Sequence, residues 1–218
     1  MERRHFLISS IFSLGLISQR AYSSTTKTSL SINVFLKDEI VGYSNLTHTK
    51  LKKGLEVVID VEIIPKFLGL KFMKYTLKNR EVWKNKELIS IDSNSSWFGK
   101  KYFVKGQREG SDFSVQGSAF SGIIKDKFAT TSYFTPDFLK RRVWLSTQDG
   151  TPLEIKTRKL KNKKMLFNDK NYSVREWEIT GDLELTLQYD EQNNWVGSSF
   201  TVGNYPARFT LNDRKNNI

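Results

Sequence analysis

The sequence predicts an all-β protein: a strongly curved antiparallel sheet, either a half-barrel or a barrel-like meander, with one short helix near residues 136–142. Three observations support this fold class. Apolar and polar residues alternate with a period of two along most of the chain, short polar turns separate the alternating stretches, and only one segment carries helix-start signals. The 218 residues include 15 Phe, 8 Tyr and 5 Trp, so the chain can build a core from large side chains.

The alternation is most regular between residues 175 and 190. Odd-numbered positions from Trp177 to Tyr189 are apolar except for Gly181, and the even-numbered positions are polar. Such alternation is typical of an antiparallel strand with one buried and one solvated face. We expect one strand of about fifteen residues here, with a bend or bulge at Gly181. A strand of that length must twist and coil, which predicts the strong curvature of the sheet.

Polar turns divide the chain into roughly eleven strands in hairpin succession between residues 31 and 211. Examples of these turns are Asn85-Lys86, Arg108–Ser111 and Asp190–Asn194. One segment interrupts the succession. Thr135 is a typical helix cap, Pro136 suits the first helical position, and an acidic residue follows in the first turn, which together predict the short helix.

Charged residues predict how neighbouring strands pair. The stretches 55–64 and 70–83 are expected to form a hairpin whose even-numbered faces meet. Two registers then set acidic against basic residues: Glu62 with Lys74 and Glu56 with Arg80, or Asp60 with Lys74 and Glu56 with Lys78. A further row of acids, at even positions from 176 to 184, is interpreted as a solvated face that pairs with Lys156 and Arg158.

Residues 1–23 are predicted to be a signal peptide, and residues 24–218 a single β domain. Arg3-Arg4-His5-Phe6-Leu7 resembles the twin-arginine translocation signal. The apolar stretch that follows is too short to span a bilayer, and Ala21-Tyr22-Ser23 supplies small residues for cleavage. A general secretory signal that contains two arginines is the alternative. In both cases we expect a periplasmic or secreted bacterial protein without a transmembrane segment after cleavage.

Composition excludes several classes of site. The chain has no cysteine, which excludes disulfides, thiolate nucleophiles and cysteine metal ligands. His48 is the single histidine beyond the signal peptide, so we expect no metal site and no cofactor. No catalytic motif is present, and we expect no enzyme activity. The net charge of +12 is interpreted as solvated lysines, and the absence of a nucleic-acid-binding motif predicts that nucleic acid is not a partner.

Glu81 is the candidate functional residue that the alternation singles out. It lies in phase with Tyr75, Leu77 and Trp83, which places a carboxylate on the apolar face of its strand. Burying a charge without a partner is unfavourable. We therefore expect this carboxylate to be hydrogen-bonded, ion-paired or at the mouth of a pocket.

A binding site for a lipid or other apolar small molecule is predicted beside Glu81. The connection 64–70 is unusually apolar for a hairpin loop and would suit contact with a ligand or a membrane, and the loop 130–136 is rich in polar and aromatic residues. The ligand is expected between these two segments, with Glu81 near the entrance. The predicted ligand-binding residues are Glu81, Trp83, Tyr133, Phe134, Pro136, Phe67 and Leu68.

Two other functions stay open at this point. The protein could be a structural subunit that docks to an envelope protein, which would leave an apolar patch exposed. It could instead be a carboxylate-dependent hydrolase or lyase that uses Glu81 with Tyr133, which would bring several polar groups together at one place. The sequence does not predict the oligomeric state.

The chain resembles a family of uncharacterised exported bacterial proteins that is known only as a domain of unknown function. The resemblance rests on motifs in a matching order: Phe67–Leu70 before Tyr75, Glu81-Val82-Trp83, Thr131–Pro136, Ser146–Gly150, Ile179–Leu185 and Tyr189-Asp190. It implies an exported β domain. Because the family has no established activity, the resemblance implies no mechanism.

Overall fold

A computed structural model describes residues 26–65, 74–125, 127–167 and 170–217; the predicted signal peptide, Phe67 and Leu68 lie outside these ranges. The described chain forms sixteen strands and one 3-10 helix, Pro136–Lys140, between β9 and β10. The strands are β1 (Lys27–Leu36), β2 (Glu39–Leu51), β3 (Gly54–Ile63), β4 (Tyr75–Lys84), β5 (Glu87–Trp97), β6 (Lys100–Glu109), β7 (Asp112–Gly117), β8 (Ser121–Ile124), β9 (Ala129–Thr130), β10 (Val143–Leu145), β11 (Pro152–Lys159), β12 (Lys163–Phe167), β13 (Lys170–Gly181), β14 (Leu185–Tyr189), β15 (Trp195–Val202) and β16 (Tyr205–Asn217).

All sixteen strands belong to one curved sheet. From edge to edge the order is β8-β7-β6-β5-β4-β3-β2-β1-β16-β15-β14-β13-β11-β10-β9, and β12 pairs with β13 beside this path. Most neighbours are successive hairpins, whereas the antiparallel pair of β1 with β16 joins the two ends of the described chain. The short pair of β9 with β10 is parallel. The predicted all-β fold with a strongly curved sheet is confirmed, and its hydrogen-bond ladder does not close into a barrel.

Alternation decides which side chains face the concave side of the sheet. On β3 the buried residues are Val57, Ile59 and Val61, and on β4 they include Leu77 and Trp83, all at odd positions. Fully burying one large apolar side chain stabilises a protein by about 1.5–3 kcal/mol. The concave face is therefore the main source of stability for the fold.

The chain covers this concave face with its own residues 127–151, which we call the inner segment. Phe134 and Phe138 of the inner segment are buried. Their ring centroids lie 5.5 Å and 5.0 Å from that of Trp83 on β4. Aromatic rings at these separations attract one another in addition to excluding water.

The turn at the end of the inner segment bridges the gap that the ladder leaves open. The hydroxyls of Ser93 and Ser95 on β5 donate to the backbone carbonyls of Thr147 and Gln148. The backbone N–H of Ala119, between β7 and β8, donates to the carbonyl of Asp149 at 3.0 Å. The inner segment thus connects the two ends of an open sheet through hydrogen bonds outside the ladder.

The prediction of a single strand over residues 175–190 is wrong. The chain forms a hairpin there, with β13 ending at Gly181 and β14 beginning at Leu185. Ile179 pairs with Leu185, so paired residues have numbers of the same parity and odd-numbered residues stay on one face through the turn. The alternation of apolar and polar residues is therefore the same for one long strand and for a hairpin at this place. Turns of this kind, together with the short strands β8–β10, raise the number of strands above the predicted eleven.

The predicted helix over residues 136–142 is replaced by the shorter 3-10 helix. Its predicted cap is confirmed, because the Thr135 side chain accepts a backbone N–H of the first turn at 3.3 Å. The indole N–H of Trp144 donates to the carbonyls of Phe138 and Arg141, both at 3.2 Å. The Trp144 side chain thus satisfies the carbonyls at the end of the helix. The backbone becomes extended at Arg141 and continues into β10.

The hairpin of β3 with β4 brings even-numbered faces together, as predicted. Lys74 Nζ lies 2.6 Å from Glu62 Oε2, and Arg80 Nη2 lies 2.6 Å from Glu56 Oε1, which are the ion pairs of the first predicted register. The backbone register itself is shifted, since Glu62 stands opposite Thr76. The ion pairs are therefore diagonal across the two strands, within reach of these long side chains.

Replacing Gly181 with alanine is expected to lower the free energy of unfolding by roughly 2–4 kcal/mol. At its φ of 111°, an added Cβ would overlap the carbonyl oxygen of Glu154. Gly203→Ala is the matched control, because its φ of 59° is also positive but no atom of the described residues lies within 4 Å of the added Cβ. A loss of about 1 kcal/mol is expected there. Urea unfolding of both variants measures the difference, and equal losses would contradict the close approach at Gly181.

Candidate functional site

Glu81 lies on the concave face of β4 and is the centre of a buried hydrogen-bond network. Its carboxylate accepts bonds from Asn79 Nδ2 at 2.9 Å, Trp83 Nε1 at 2.7 Å and Ser132 Oγ at 3.1 Å. Asn79 and Trp83 share its face because residues two apart on a strand point the same way. The expected hydrogen bonding of Glu81 is confirmed. Its expected place near an entrance is wrong, since the residue is 0% exposed.

Thr130 extends the network, because its hydroxyl oxygen lies 2.6 Å from that of Ser132. Burial raises the pKa of Glu81 above its usual range, and the hydrogen bonds from Asn79, Trp83, Thr130 and Ser132 oppose this shift. The carboxyl does not reach solvent. Through Ser132, its contacts hold the inner segment against β4.

A cavity of about 400 Å³, here called the large cavity, lies inside the sheet at the end where β3 and β15 finish and β4 and β14 begin. Its wall is mostly apolar and comes from the sheet and from the inner segment. The lining residues are Ser44, Ile59, Val61, Tyr75, Leu77, Thr131, Ser132, Tyr133, Ser146, Thr147, Gln148, Leu153, Leu183, Glu184, Leu185, Trp195, Ser198, Phe200, Thr201 and Phe209. Glu184 and Thr201 are exposed, so the cavity reaches the surface beside them.

A second cavity of about 270 Å³, the small cavity, lies at the opposite end of the strands, where β4 turns into β5. Its floor is aromatic and is formed by Trp83, Phe134 and Phe138. Its rim carries charges, and the Nζ atom of Lys86 lies 3.0 Å from a carboxylate oxygen of Asp137.

The structure divides the predicted ligand-binding residues between these two cavities. Tyr133 lines the large cavity, and Trp83 and Phe134 line the small one. Glu81 and Pro136 line neither of the two. Because Glu81 bonds to Trp83 on one side and to Ser132 on the other, its network separates the two cavities. Phe67 and Leu68 lie outside the described residues.

Tyr133 is positioned through its own backbone and not by a hydrogen bond to the carboxylate of Glu81. Its φ is 56°, and its carbonyl accepts a hydrogen bond from the Tyr189 hydroxyl at 2.9 Å. Burial raises the pKa of both phenol groups, which keeps them protonated at neutral pH. Within the described part of the chain, none of the hydrogen bonds of Glu81 involves Tyr133. Glu81 and Tyr133, the two residues of the hydrolase alternative, are therefore not hydrogen-bonded to each other in the structure.

Two serines of the large cavity are missed by the sequence patterns. Ser44 and Ser198 are 1% and 3% exposed and line its wall. Ser44 is two residues before the buried Leu46 on β2 and therefore shares its face. A small hydroxyl residue at an apolar position of the alternation could have identified it from the sequence. The face of Ser198 could not be predicted, because a register shift at Tyr189 interrupts the alternation between β14 and β15.

The expected pairing of the acidic row is confirmed for Glu178 alone. Lys156 lies opposite Thr180, and Glu176 lies 4.0 Å from Lys163 on β12. Arg158 Nε lies 2.7 Å from Glu178 Oε2, directly across from it on β11. The hydrogen bond from Arg158 lowers the pKa of Glu178. Among the residues that the structure describes, no group of three or more His, Asp or Glu side chains is placed to hold a metal ion, and no helix is long and apolar enough to cross a membrane.

The sequence model of the domain of unknown function DUF6134 matches residues 33–212. The chain belongs to this family. The match confirms the expected kinship with an uncharacterised family. No curated protein sequence matches the DUF6134 chain.

The fold of this DUF6134 domain is similar to the crystal structure of a beta-barrel-like protein of the domain of unknown function DUF1849 from Brucella abortus. The two structures superpose with a TM-score of 0.61 over 89% of this chain and 98% of that chain. Their sequences are 6% identical, so the likeness concerns the fold alone.

Glu81→Gln is expected to change the pH dependence of stability. Since burial raises the folded-state pKa of Glu81, the folded protein holds this proton more tightly than the unfolded chain does. The resulting stabilisation is present at acid pH and is lost as the pH rises through the folded-state pKa, by up to about 1.4 kcal/mol per pH unit. The neutral amide of the variant does not titrate, so this loss does not occur. The free energy of unfolding of the variant should therefore increase relative to that of the wild type as the pH rises.

The measurement is urea unfolding of both proteins between about pH 5 and about pH 8, read as the difference in free energy of unfolding. Burial lowers the pKa of His48 to about 4, but this contribution is common to both proteins and cancels in the difference. A difference that does not vary with pH would mean that Glu81 titrates alike in the folded and unfolded states.

Proposed function

We propose that the DUF6134 domain of this chain binds a lipid or other apolar small molecule in the large cavity. The observation that carries the proposal is the size and lining of this cavity. Its volume of about 400 Å³ falls in the range of small-molecule sites, ~300–1,000 Å³. Apolar side chains of β3, β14 and β16, such as Ile59, Leu185 and Phe209, would contact the hydrocarbon part of the ligand.

The polar groups of the cavity restrict the ligand further. Ser44, Ser198 and the hydroxyl residues of the inner segment stand among the apolar side chains of the wall, which suits a ligand with neutral polar groups beside its hydrocarbon part. Glu184 is the charged residue among those described in the lining, and it lies at the opening. A carboxylate there repels an anionic head group. A neutral amphiphile, such as an acyl ester, therefore fits this cavity better than a free fatty acid.

We also propose that the protein is exported to the periplasm. The proposal is supported by the twin-arginine-like motif Arg3-Arg4-His5-Phe6-Leu7 and by small residues at positions 21–23. The DUF6134 match begins at residue 33, beyond the predicted signal peptide. A β domain whose ligand site opens at one end is compatible with a binding function outside the cytoplasm.

Filling the large cavity is expected to abolish ligand binding. Ser198→Phe places a ring in the cavity, whereas Ser199→Phe, on the next residue and the opposite face of β15, leaves the cavity unchanged and is the matched control. Titration with a neutral fluorescent fatty-acyl ester should show at least a tenfold loss of affinity for the first variant only. Thermal unfolding verifies that both variants fold. Equal affinities, or a wild type that binds no probe and has only its apo mass in native mass spectrometry, would reject the ligand site.

Replacing Arg3 and Arg4 together with lysine is expected to leave precursor in the cytoplasm, because the twin-arginine route requires the arginine pair. Arg20→Lys, in the same peptide but outside the motif, is the matched control and should be exported normally. Fractionation followed by immunoblotting measures both. If the doubly substituted protein reaches the periplasm at the normal rate, the route is the general secretory one.

A further inference from the structure

The end of the sheet opposite the large cavity is rich in lysine. Here β2 turns into β3, β4 turns into β5, and the 3-10 helix and β12 approach the surface; we call this surface the basic end. Its exposed lysines stand on separate turns and strand ends: Lys52, Lys53, Lys86, Lys140, Lys161 and Lys164. Glu109 and Glu191 are exposed acids at the same end.

The end that contains the opening of the large cavity has a different charge pattern. The exposed charges of the described turns and strand ends there are Lys37, Lys74, Lys100 and Lys101 and the acids Asp38, Glu39, Asp182 and Glu184. Among the described residues, basic and acidic side chains are therefore balanced at this end. The basic end keeps an excess of lysines even though Asp137 pairs with Lys86 and Lys140, and the field there attracts anionic surfaces.

A hairpin of β12 with β13 projects from the basic end. β13 has β14 as a neighbour only from Arg175 onward, and its first residues pair with β12 alone. The hairpin exposes one large apolar side chain on each face: Leu166, paired with Asn171, is 64% exposed, and Tyr172, paired with Met165, is 41% exposed. We call these two residues the apolar tip. Lys163 and Lys164 on β12 are exposed beside them. Exposed apolar side chains bordered by lysines are typical of segments that rest in the interface of a membrane.

We propose that the basic end docks on the surface of an anionic lipid bilayer, with Leu166 and Tyr172 of the apolar tip in the head-group region. Two independent features support this partner. Lysines on several separate turns match a broad surface of many negative charges, and Leu166 and Tyr172 match the apolar boundary beneath it. The inference does not depend on the large cavity, which opens at the other end.

The experiment is co-sedimentation of the full chain with vesicles of phosphatidylglycerol mixed with phosphatidylcholine, compared with phosphatidylcholine alone. All variants keep residues 1–25, so that any contribution of the N-terminus is common to them. Lys161→Glu combined with Lys164→Glu tests the charges, and Leu166→Ser tests the apolar tip. Lys100→Glu combined with Lys101→Glu at the opposite end is the matched control of equal charge change.

The wild type should bind the anionic vesicles, and binding should weaken as salt is added. The Lys161 and Lys164 variant should lose at least about 30-fold in partitioning, since each lysine near an anionic surface contributes about 1 kcal/mol and each introduced carboxylate adds repulsion. Leu166→Ser should bind several-fold more weakly, and the control pair should stay within about twofold of the wild type.

Three results would overturn the proposal: equal binding to both kinds of vesicle, an equal loss in the control pair, or binding to heparin with none to the anionic vesicles. The last would assign the basic end to a polyanion other than a bilayer. The fatty-acyl ester titration, repeated on the same variants, separates this inference from the proposed ligand site. It should be unchanged in all of them, because none of the substituted residues lines the large cavity.

Discussion

The concave face of an open, curved sheet must be covered, and this requirement governs the rest of the molecule. The inner segment supplies the cover, with Phe134 and Phe138 packed on Trp83. Because the ladder does not close, the inner segment also supplies contacts to the far side of the sheet, through Ser93 and Ser95 on β5 and through Ala119 beside the β8 edge. One stretch of chain thus fills the core and replaces the missing ladder. Both cavities are the spaces that it leaves uncovered.

A buried carboxyl fixes the position of that cover. Burying Glu81 is costly unless its oxygens are bonded, and four polar side chains approach it. Ser132 satisfies the carboxyl only when the inner segment lies in one place, so the network specifies the packing more than it adds stability. The separation of the large cavity from the small one is a consequence of this network. Glu81 thus shapes the candidate site by fixing the position of the inner segment.

The two ends of the strands have different surface chemistry. One end opens into an apolar cavity with balanced charges around it, and the other is basic and carries the projecting β12–β13 hairpin. Strands that run the full length of the sheet place these properties far apart along the molecule. The proposed apolar-ligand site and the proposed bilayer contact therefore have no residue in common.

Alternation alone determined the all-β class, the inward position of Glu81 and the facing of the charged rows, because side-chain direction along a strand is a local property with a period of two. It could not reveal the turn after Gly181, since Ile179 and Leu185 keep their parity through the hairpin. Nor could it join Glu81 to Ser132, which is 51 residues away in sequence. The large cavity is likewise lined by residues that are distant in sequence, from Ser44 on β2 to Phe209 on β16. These pairings depend on which faces pack together, and only the tertiary structure decides that.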